Sequence, residues 1–198
     1  MSEASGSRVL GSARTLRRGV PGLLALALAG MLEASTVHFL PLGEMAVRAD
    51  QIFTGEVVGI ASQMNARRNG IFTFVTIEVD EYLKGGRRGV LTLRFLGGEA
   101  EGYRLTVPGS PEFHLGEEVL VFTDGGAGRV PAVLGMAAGK FRLARNPVTG
   151  ERLLERSFEG LILEDSSGAR VTAGQADSQA PASMDAVRRI VREALAAQ

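Results

Sequence analysis

Residues Ile71–Val79 alternate between two sets of side chains, and this alternation constrains the fold more than any other feature of the chain. One set is Ile71, Thr73, Val75, Ile77 and Val79, and the other is Phe72, Phe74, Thr76 and Glu78. Successive side chains of a β-strand point to opposite faces of a sheet, so this period of two predicts a strand with one buried face. We therefore expect a fold built on a sheet.

Further segments of this kind follow, with glycine-rich turns between them. The predicted strands are Ile52–Ala61, Val90–Leu96, Tyr103–Val107, Val119–Phe122, Val130–Leu134, Lys140–Leu143, Arg152–Ser157 and Leu161–Leu163. The pair that begins at Val130 and Lys140 is expected to form a hairpin. Val119–Phe122 is apolar on both faces, which predicts the most buried strand. Gly55 and Gly59 predict bends in the first strand. This pattern is typical of a mainly β fold, and the bends favour a small barrel.

Two helices flank the predicted β domain. Leu42–Ala49 carries apolar residues at helical spacing. At the other end, Ser183 is expected to cap an amphipathic helix over residues 183–198. Its apolar stripe consists of Met184, Val187, Ile190, Val191 and Leu195. The stripe could dock on the domain itself or on a partner. Residues 165–182 are rich in Ser, Gly, Ala, Gln and Asp, which predicts a linker.

The N-terminal residues predict the cellular compartment to which the protein is sent. Arg14, Arg17 and Arg18 precede an apolar run of 13 residues, 20–32, and small residues follow it. These are the parts of a secretory signal peptide, and the run is shorter than the roughly 20 residues that a membrane-spanning helix needs. We predict cleavage after Ala34 and export to the periplasm or the extracellular space, by the general or the twin-arginine route.

The predicted domain organisation follows directly from these segments. It comprises a signal peptide over residues 1–34, a β-barrel domain over 35–164, a linker over 165–182 and a C-terminal helix over 183–198. After cleavage no membrane span is expected.

Composition narrows the classes of function. Residues 1–34 hold four of the 22 basic and two of the 22 acidic residues, so the remaining 164 residues carry a net charge of −2. A near-neutral surface without a basic patch does not attract nucleic acid, and we predict no nucleic-acid partner. The chain has no cysteine, which excludes disulfides, thiolate nucleophiles and thiolate metal sites.

Three blocks of sequence resemble a known family. They are Ala49–Val57 (ADQIFTGEV), Phe74–Gly85 (FVTIEVDEYLKG) and Phe113–Phe122 (FHLGEEVLVF). With Gly97-Gly98 and Gly139-Lys140-Phe141, their order resembles a cysteine-free branch of bacterial exported proteins related to the netrin-like, tissue-inhibitor-of-metalloproteinase domain. The resemblance covers about residues 40–143 and implies a five-stranded OB-like barrel.

The resemblance stops short of the inhibitory chemistry. In the animal inhibitors, an N-terminal cysteine places its amine and its carbonyl on the zinc of the protease. Here the predicted mature start is Ser35-Thr36-Val37, and the chain has no cysteine. The resemblance therefore implies the fold and leaves protease inhibition as one option, because a fold does not determine a function.

Side chains that could carry a reaction are few. His38 and His114 are the two histidines, and a metal site would require both together with a carboxylate such as Glu112 or Glu117. Ser110 precedes His114 in a loop, without the elbow or the orienting acid of a nucleophilic serine. We therefore predict no catalytic, cofactor-binding or metal-binding residue, and we interpret His114 as a surface loop residue.

Other charged and aromatic clusters have structural interpretations. Five carboxylates match no calcium loop and are expected on solvated surface: Glu78, Asp80, Glu81, Glu99 and Glu101. The positive charges of Lys84–Arg88 predict a hairpin tip that discourages edge pairing. Phe72, Phe74 and Tyr82 could form an aromatic binding face, but without basic neighbours Phe72 and Phe74 are expected to pack under the flanking helices. Gly125–Gly128 lacks the context of a phosphate loop.

From the sequence we expect an exported, non-enzymatic binding module with a protein partner. An extracellular metalloprotease is the partner that the resemblance suggests. Two alternatives stay open. One is a structural or envelope-associated protein whose closing helix docks on another component. The other is an enzyme with a dispersed site, which predicts a pocket with several convergent polar groups.

Overall fold

The computed structural model describes residues 36–38, 40–86, 89–125, 129–156, 162–164, 167–172 and 183–197. All of them belong to one compact unit, Ala34–Gln198. The predicted signal peptide lies outside the described residues, as does most of the predicted linker. Within the described ranges, no helix has both the length and the apolar character needed to cross a bilayer.

The described elements confirm a mainly β chain with an N-terminal and a C-terminal helix. In chain order they are β1 (Thr36–His38), α1 (Leu42–Arg48), β2 (Gln51–Met64), β3 (Ile71–Lys84), β4 (Val90–Leu96), β5 (Gly98–Ala100), β6 (Tyr103–Leu105), β7 (Glu118–Asp124), β8 (Ala132–Val133), β9 (Lys140–Arg145), β10 (Arg152–Glu155), β11 (Ile162–Glu164), β12 (Arg170–Val171) and α2 (Met184–Ala196). A 3₁₀ turn, Met136–Gly139, separates β8 from β9.

Most strands belong to one antiparallel sheet. Its order is β10-β9-β7-β2-β3-β4, with β8 also paired to β7. The strands β1, β11 and β12 form a second, small sheet, and β5 and β6 form a hairpin. In the large sheet β4 and β10 are the outer strands, and among the described residues no ladder joins them. The strand β12 lies inside the range predicted as linker and pairs with β11.

The strand β2 bends as its glycines predict. Its ladder with β3 shifts register between Thr54 and Gly55 and again between Val57 and Gly59. A side chain at Gly55 would overlap the carbonyl oxygen of Glu78, so the close approach of the two backbones requires glycine there. Because of these bulges, the first half of β2 pairs with β7 and the second half, from Val58 onward, diverges from it.

The strand β7 is the centre of the fold, and the prediction that it is the most buried strand is confirmed. Residues Val119–Thr123 are all fully buried. Leu120 and Phe122 belong to a core with α1 and α2, which we call the helix-side core. Val119 and Val121 face a second core with β3 and β4, which we call the cleft-side core.

The helix α2 docks on its own domain. Met184, Val187 and Val191 are buried in the helix-side core, beside the buried residues of α1. Burying a side chain of this size contributes about 1.5–3 kcal/mol relative to leaving it in water. Ser183 occupies the N-cap position, but its side chain makes no capping hydrogen bond. Ser183 instead forms an isolated β-bridge with Leu153, which holds the start of the helix.

Two predictions about strands and aromatic residues are wrong. The strands β8 and β9 do not form a hairpin, because both pair antiparallel with β7 and therefore run in the same direction. Gly135 and Met136 begin the intervening turn with φ of 66° and 58°. Phe72 and Phe74 are half-buried and belong to neither core, because α1 and α2 pack toward β7 and β10. The ring of Phe72 instead contacts the Arg94 guanidinium, 5.3 Å from the ring centroid.

Candidate functional site

Two adjoining clefts lie on either side of residues 106–114, which we call the ridge. The polar cleft has a volume of about 580 Å³ and the apolar groove one of about 390 Å³. The polar cleft is lined by charged residues that include Glu117, Lys140, Arg142 and Glu155. The apolar groove is lined by Ile60, Val75, Phe95, Leu105 and Phe113, with the ion pair Glu99–Arg104 among its polar residues.

A buried ion pair forms part of the wall of the polar cleft. Glu117 immediately precedes β7, and Lys140 is the first residue of β9, where it pairs with Val121. Glu117 and Val121 lie on the same face of the sheet, so the long side chains of Glu117 and Lys140 meet across that face. One carboxylate oxygen of Glu117, Oε1, binds the Lys140 ammonium, while Oε2 accepts a hydrogen bond from the backbone N–H of His114 at 3.0 Å. Only 5% of the Glu117 side chain and 14% of the Lys140 side chain are exposed. Both charges are thus largely removed from water and compensate each other.

Phe113 joins the ion pair to the cleft-side core. The Lys140 Nζ atom lies 5.3 Å from the centroid of the Phe113 ring, within the range of a cation–π contact. The Phe113 ring also stacks on the ring of Phe95, and the two ring centroids are 6.0 Å apart. The carboxylate, the ammonium and the two rings therefore fix the C-terminal end of the ridge.

Hydrogen bonds hold the middle of the ridge to two other elements. The backbone N–H of Ala137, in the 3₁₀ turn, donates to the carbonyl of Gly109 at 2.9 Å. The Ser110 hydroxyl donates to the carbonyl of Leu96 at 3.4 Å, and the Ser110 backbone N–H donates to the carbonyl of Val107 at 3.1 Å. Ser110 is therefore a structural residue of the turn.

The floor of the apolar groove carries a short chain of hydroxyl groups. Ser62 Oγ and Thr73 Oγ1 are 2.8 Å apart, and Thr73 donates to the carbonyl of Gly97 at 2.7 Å. Gly98 has φ of 122°, and a side chain on it would overlap both hydroxyl groups. The glycine pair that the sequence resemblance includes is therefore needed for close contact of β5 with β2 and β3.

The structure brings some of the predicted candidate residues together. Ser110, Glu112, His114 and Glu117 all line the polar cleft. His38 lies in β1, and its side chain is outside the described part of the chain. His114 is exposed in the loop before β7, which confirms its interpretation as a surface residue. Across the described ranges, no three histidine or carboxylate side chains are grouped as a metal ion would require.

Most of the clustered carboxylates form ion pairs with arginines. The pairs are Asp80–Arg152 at 3.8 Å, Glu81–Arg188 at 2.8 Å, Glu99–Arg104 at 2.7 Å and Glu101–Arg68 at 2.7 Å. The hydrogen bond that Arg188 donates to the Glu81 carboxylate raises the pKa of Arg188 above its ordinary value. The first two of these pairs join β3 to β10 and to α2.

Lys84 has a different role from the one that its position predicts. It is the last residue of β3, and its ammonium donates to the carbonyls of Ala46 and Val47 at 2.9 Å each. These carbonyls belong to the last turn of α1, where backbone acceptors lack partners within the helix. Lys84 therefore caps a helix rather than charging a hairpin tip; Arg87 and Arg88 lie outside the described residues.

Lys140, Phe113 and Arg142 are site residues that reasoning from the sequence misses. Lys140 and Glu117 are 23 positions apart, and their contact depends on the register of β7 with β9. The available signal was a lysine at the first position of a strand whose alternate residues, Phe141 and Leu143, are apolar. Both Lys140 and Phe113 also lie in blocks that carry the resemblance.

Comparison of the chain with protein-family models and with curated proteins gives no match.

Proposed function

We propose that this chain is an exported, non-enzymatic binding module, and that the ridge with its neighbouring loop is the surface that binds a protein partner. The observation that carries this proposal is an anchored loop with an exposed apolar tip. Leu115 is 68% exposed, although Phe113 and Glu117 on either side of it are held by the core and by the buried ion pair. An anchored loop that presents an apolar side chain loses little conformational entropy on binding.

The charges around the ridge also favour a polar polypeptide surface as the partner. Arg142 and Glu155 form an exposed pair at 3.9 Å on the rim of the polar cleft. An apolar centre with a polar rim is the usual composition of a protein interface. Secreted zinc metalloproteases are the first partners to test, because they are the targets of the family that the sequence resembles.

The fold we propose for this module is a closed OB-like barrel of the netrin type. The backbone N–H of Arg94, on the outer side of β4, donates to the carbonyl of Pro131, just before β8, at 3.2 Å. This bond supports closure because it links the outer strand β4 to the segment before β8, and β8 pairs with β7. In a closed barrel the Arg94 amide exchanges slowly with solvent; exchange as fast as that of an exposed loop amide would contradict closure.

Export is part of the same proposal and rests on residues 14–34 of the sequence. Expression in a bacterial host followed by fractionation is expected to yield a protein outside the cytoplasm that begins at Ser35. N-terminal sequencing of the purified protein measures this directly. Intact protein that retains residues 1–34 in the cytosol would overturn the proposal of export.

Two matched variants test the binding surface. Leu115→Asp places a charge on the ridge loop, and Val148→Asp places the same charge in a turn where Val148 is 91% exposed. For a protease that forms a complex with the chain, we expect Leu115→Asp to weaken binding at least tenfold, a loss of about 1.4 kcal/mol, and Val148→Asp to leave it unchanged. Equal affinity of the two variants would contradict the proposed binding surface. No association with any secreted metalloprotease would contradict the proposed partner.

A further inference from the structure

The Glu117–Lys140 pair places an amine beside a carboxyl carbon. The Lys140 Nζ atom contacts Oε1 of Glu117, and Oε2 accepts a hydrogen bond from the backbone N–H of His114 at 3.0 Å. The His114 Nδ1 atom is farther from Oε2, at 3.8 Å. Because Nζ contacts Oε1, it lies close to Cδ, the carbon that an amine attacks to form an amide. Well-oriented groups react as though their concentration were about 10⁵–10⁸ M.

The surroundings of the pair favour a neutral product over two charges. Both side chains are largely buried, and the Phe113 ring covers one side of the Lys140 ammonium. A buried ion pair loses the hydration that each charge has in water, and the attraction between the charges often fails to compensate for this loss. An amide between the two groups carries no charge. Its formation releases one water molecule into the polar cleft, which both residues line.

We propose that Lys140 and Glu117 become joined by an isopeptide bond between Nζ and Cδ after the chain has folded. The Lys140 ammonium first transfers a proton to Oε1, which converts the ion pair into an amine and a carboxylic acid. The lone pair of Nζ then attacks Cδ, and the electrons of the C=O bond move to Oε2. The His114 backbone N–H already donates to Oε2, and it stabilises the negative charge that develops there.

The second half of the reaction expels Oε1 as water. A second proton passes from Nζ to the Oε1 hydroxyl, the bond between Cδ and Oε1 breaks, and the C=O bond to Oε2 forms again. The product keeps one hydrogen on Nζ, and Oε2 becomes the amide oxygen, with the His114 N–H as its donor. The ammonium and the carboxylate supply every atom and both transferred protons, so the reaction needs no oxidant, reductant or added group.

An isopeptide bond at this position closes a loop that contains β7, β8 and the 3₁₀ turn, because Glu117 and Lys140 are 23 positions apart. A crosslink stabilises a fold mainly by restricting the unfolded chain. The chain has no cysteine, so disulfides do not supply this restriction. The bond forms within one chain and needs no partner. Unlike the ion pair, it persists when the protein is denatured, and this difference makes it measurable.

Mass spectrometry of the denatured full chain distinguishes the crosslink from the ion pair. After incubation of the folded protein, we expect a mass lower than that of its sequence by one water molecule. Lys140→Arg is expected to keep its full mass, because a guanidinium stays protonated and does not attack a carboxyl carbon. Lys84→Arg is the matched control, since Lys84 binds backbone carbonyls, and it is expected to lose the water. A full mass in the unchanged chain, with circular dichroism showing that it is folded, would refute the proposal.

Peptide mapping locates the bond without relying on a variant. Trypsin cleaves after lysine and arginine, and around the pair these residues are Arg104, Arg129, Lys140 and Arg142. Because an amide at Lys140 blocks cleavage there, the crosslinked protein is expected to yield residues 105–129 joined to residues 130–142 in one peptide. Separate peptides 105–129 and 130–140 from all of the incubated protein would overturn the proposal. An equal loss of water from Lys140→Arg would also overturn it, because the dehydration would then lie elsewhere, as in a succinimide at Asp124.

Discussion

Lys84 and Lys140 are two lysines at the ends of strands, and they stabilise the two cores in different ways. Lys84 binds the last carbonyls of α1 beside the helix-side core, whereas Lys140 binds the buried carboxylate of Glu117 beside the cleft-side core. If Lys84 is removed, water can hydrate the carbonyls at the helix end. If Lys140 is removed, the Glu117 carboxylate loses its counter-ion, and water cannot replace it because only 5% of the side chain is exposed. The cost of losing a lysine therefore depends on what its partner can do alone.

The largest expected effect tests the cleft side of this comparison. Lys140→Met leaves the Glu117 charge without compensation, and we expect a loss of about 3–5 kcal/mol in the free energy of unfolding. Urea denaturation followed by circular dichroism measures it. The double variant Lys140→Met with Glu117→Leu removes both charges and is expected to regain most of the loss. A single variant as stable as the unchanged chain would show that solvent reaches Glu117.

A smaller effect is expected on the helix side. Lys84→Met removes two charge-assisted hydrogen bonds from the end of α1, but hydration of the freed carbonyls limits the loss to about 1–2 kcal/mol. Arg48→Met is the matched control, because Arg48 belongs to the same helical turn and its 3.4 Å pair with Glu44 is exposed. The control is expected to change stability by less than about 0.5 kcal/mol. A loss at Lys84 as large as that at Lys140 would remove the distinction between the two sides.

The smallest effect concerns the ion pair between α2 and β3. Arg188→Met removes the 2.8 Å contact with Glu81, and because this pair is partly exposed we expect a loss of about 0.2–1 kcal/mol that decreases as salt is added. The raised pKa of Arg188 means that its contribution is complete below the ordinary arginine pKa and is lost only as pH rises through the raised value. The difference between the variant and the unchanged chain should therefore be constant from about pH 6 to 9. A difference that changes over this range would implicate another group.

The longer strands and both helices were predictable from the sequence because each is specified locally, whereas the short strands β1, β5 and β12 were not predicted. The alternation from Ile71 to Val79, the apolar run of β7 and the stripe of α2 each require only neighbouring residues to be interpreted. The glycines of β2 also gave a correct local prediction, since a bulge depends on backbone approach at one position.

Features that depend on register were not predictable in this way. The Glu117–Lys140 pair requires β7 and β9 to be aligned, and the helix-capping role of Lys84 requires the end of β3 to lie beside α1. The prediction that β8 and β9 form a hairpin was wrong for the same reason, since both strands pair with β7. The local pattern also does not indicate which half of β3 the helices cover. The prediction that Phe72 and Phe74 pack under the helices was wrong for this reason.

The packing of α2 against α1 has a consequence for the order of events during synthesis. Leu42 and Met45 are translated early, but Val187 and Val191, which are buried in the same core, follow about 140 residues later. Contacts between segments so distant in sequence form late, because a long loop must close first. The nascent protein thus remains without a finished interior throughout most of its translation, and a truncation before Val187 would leave the early helix exposed to proteases.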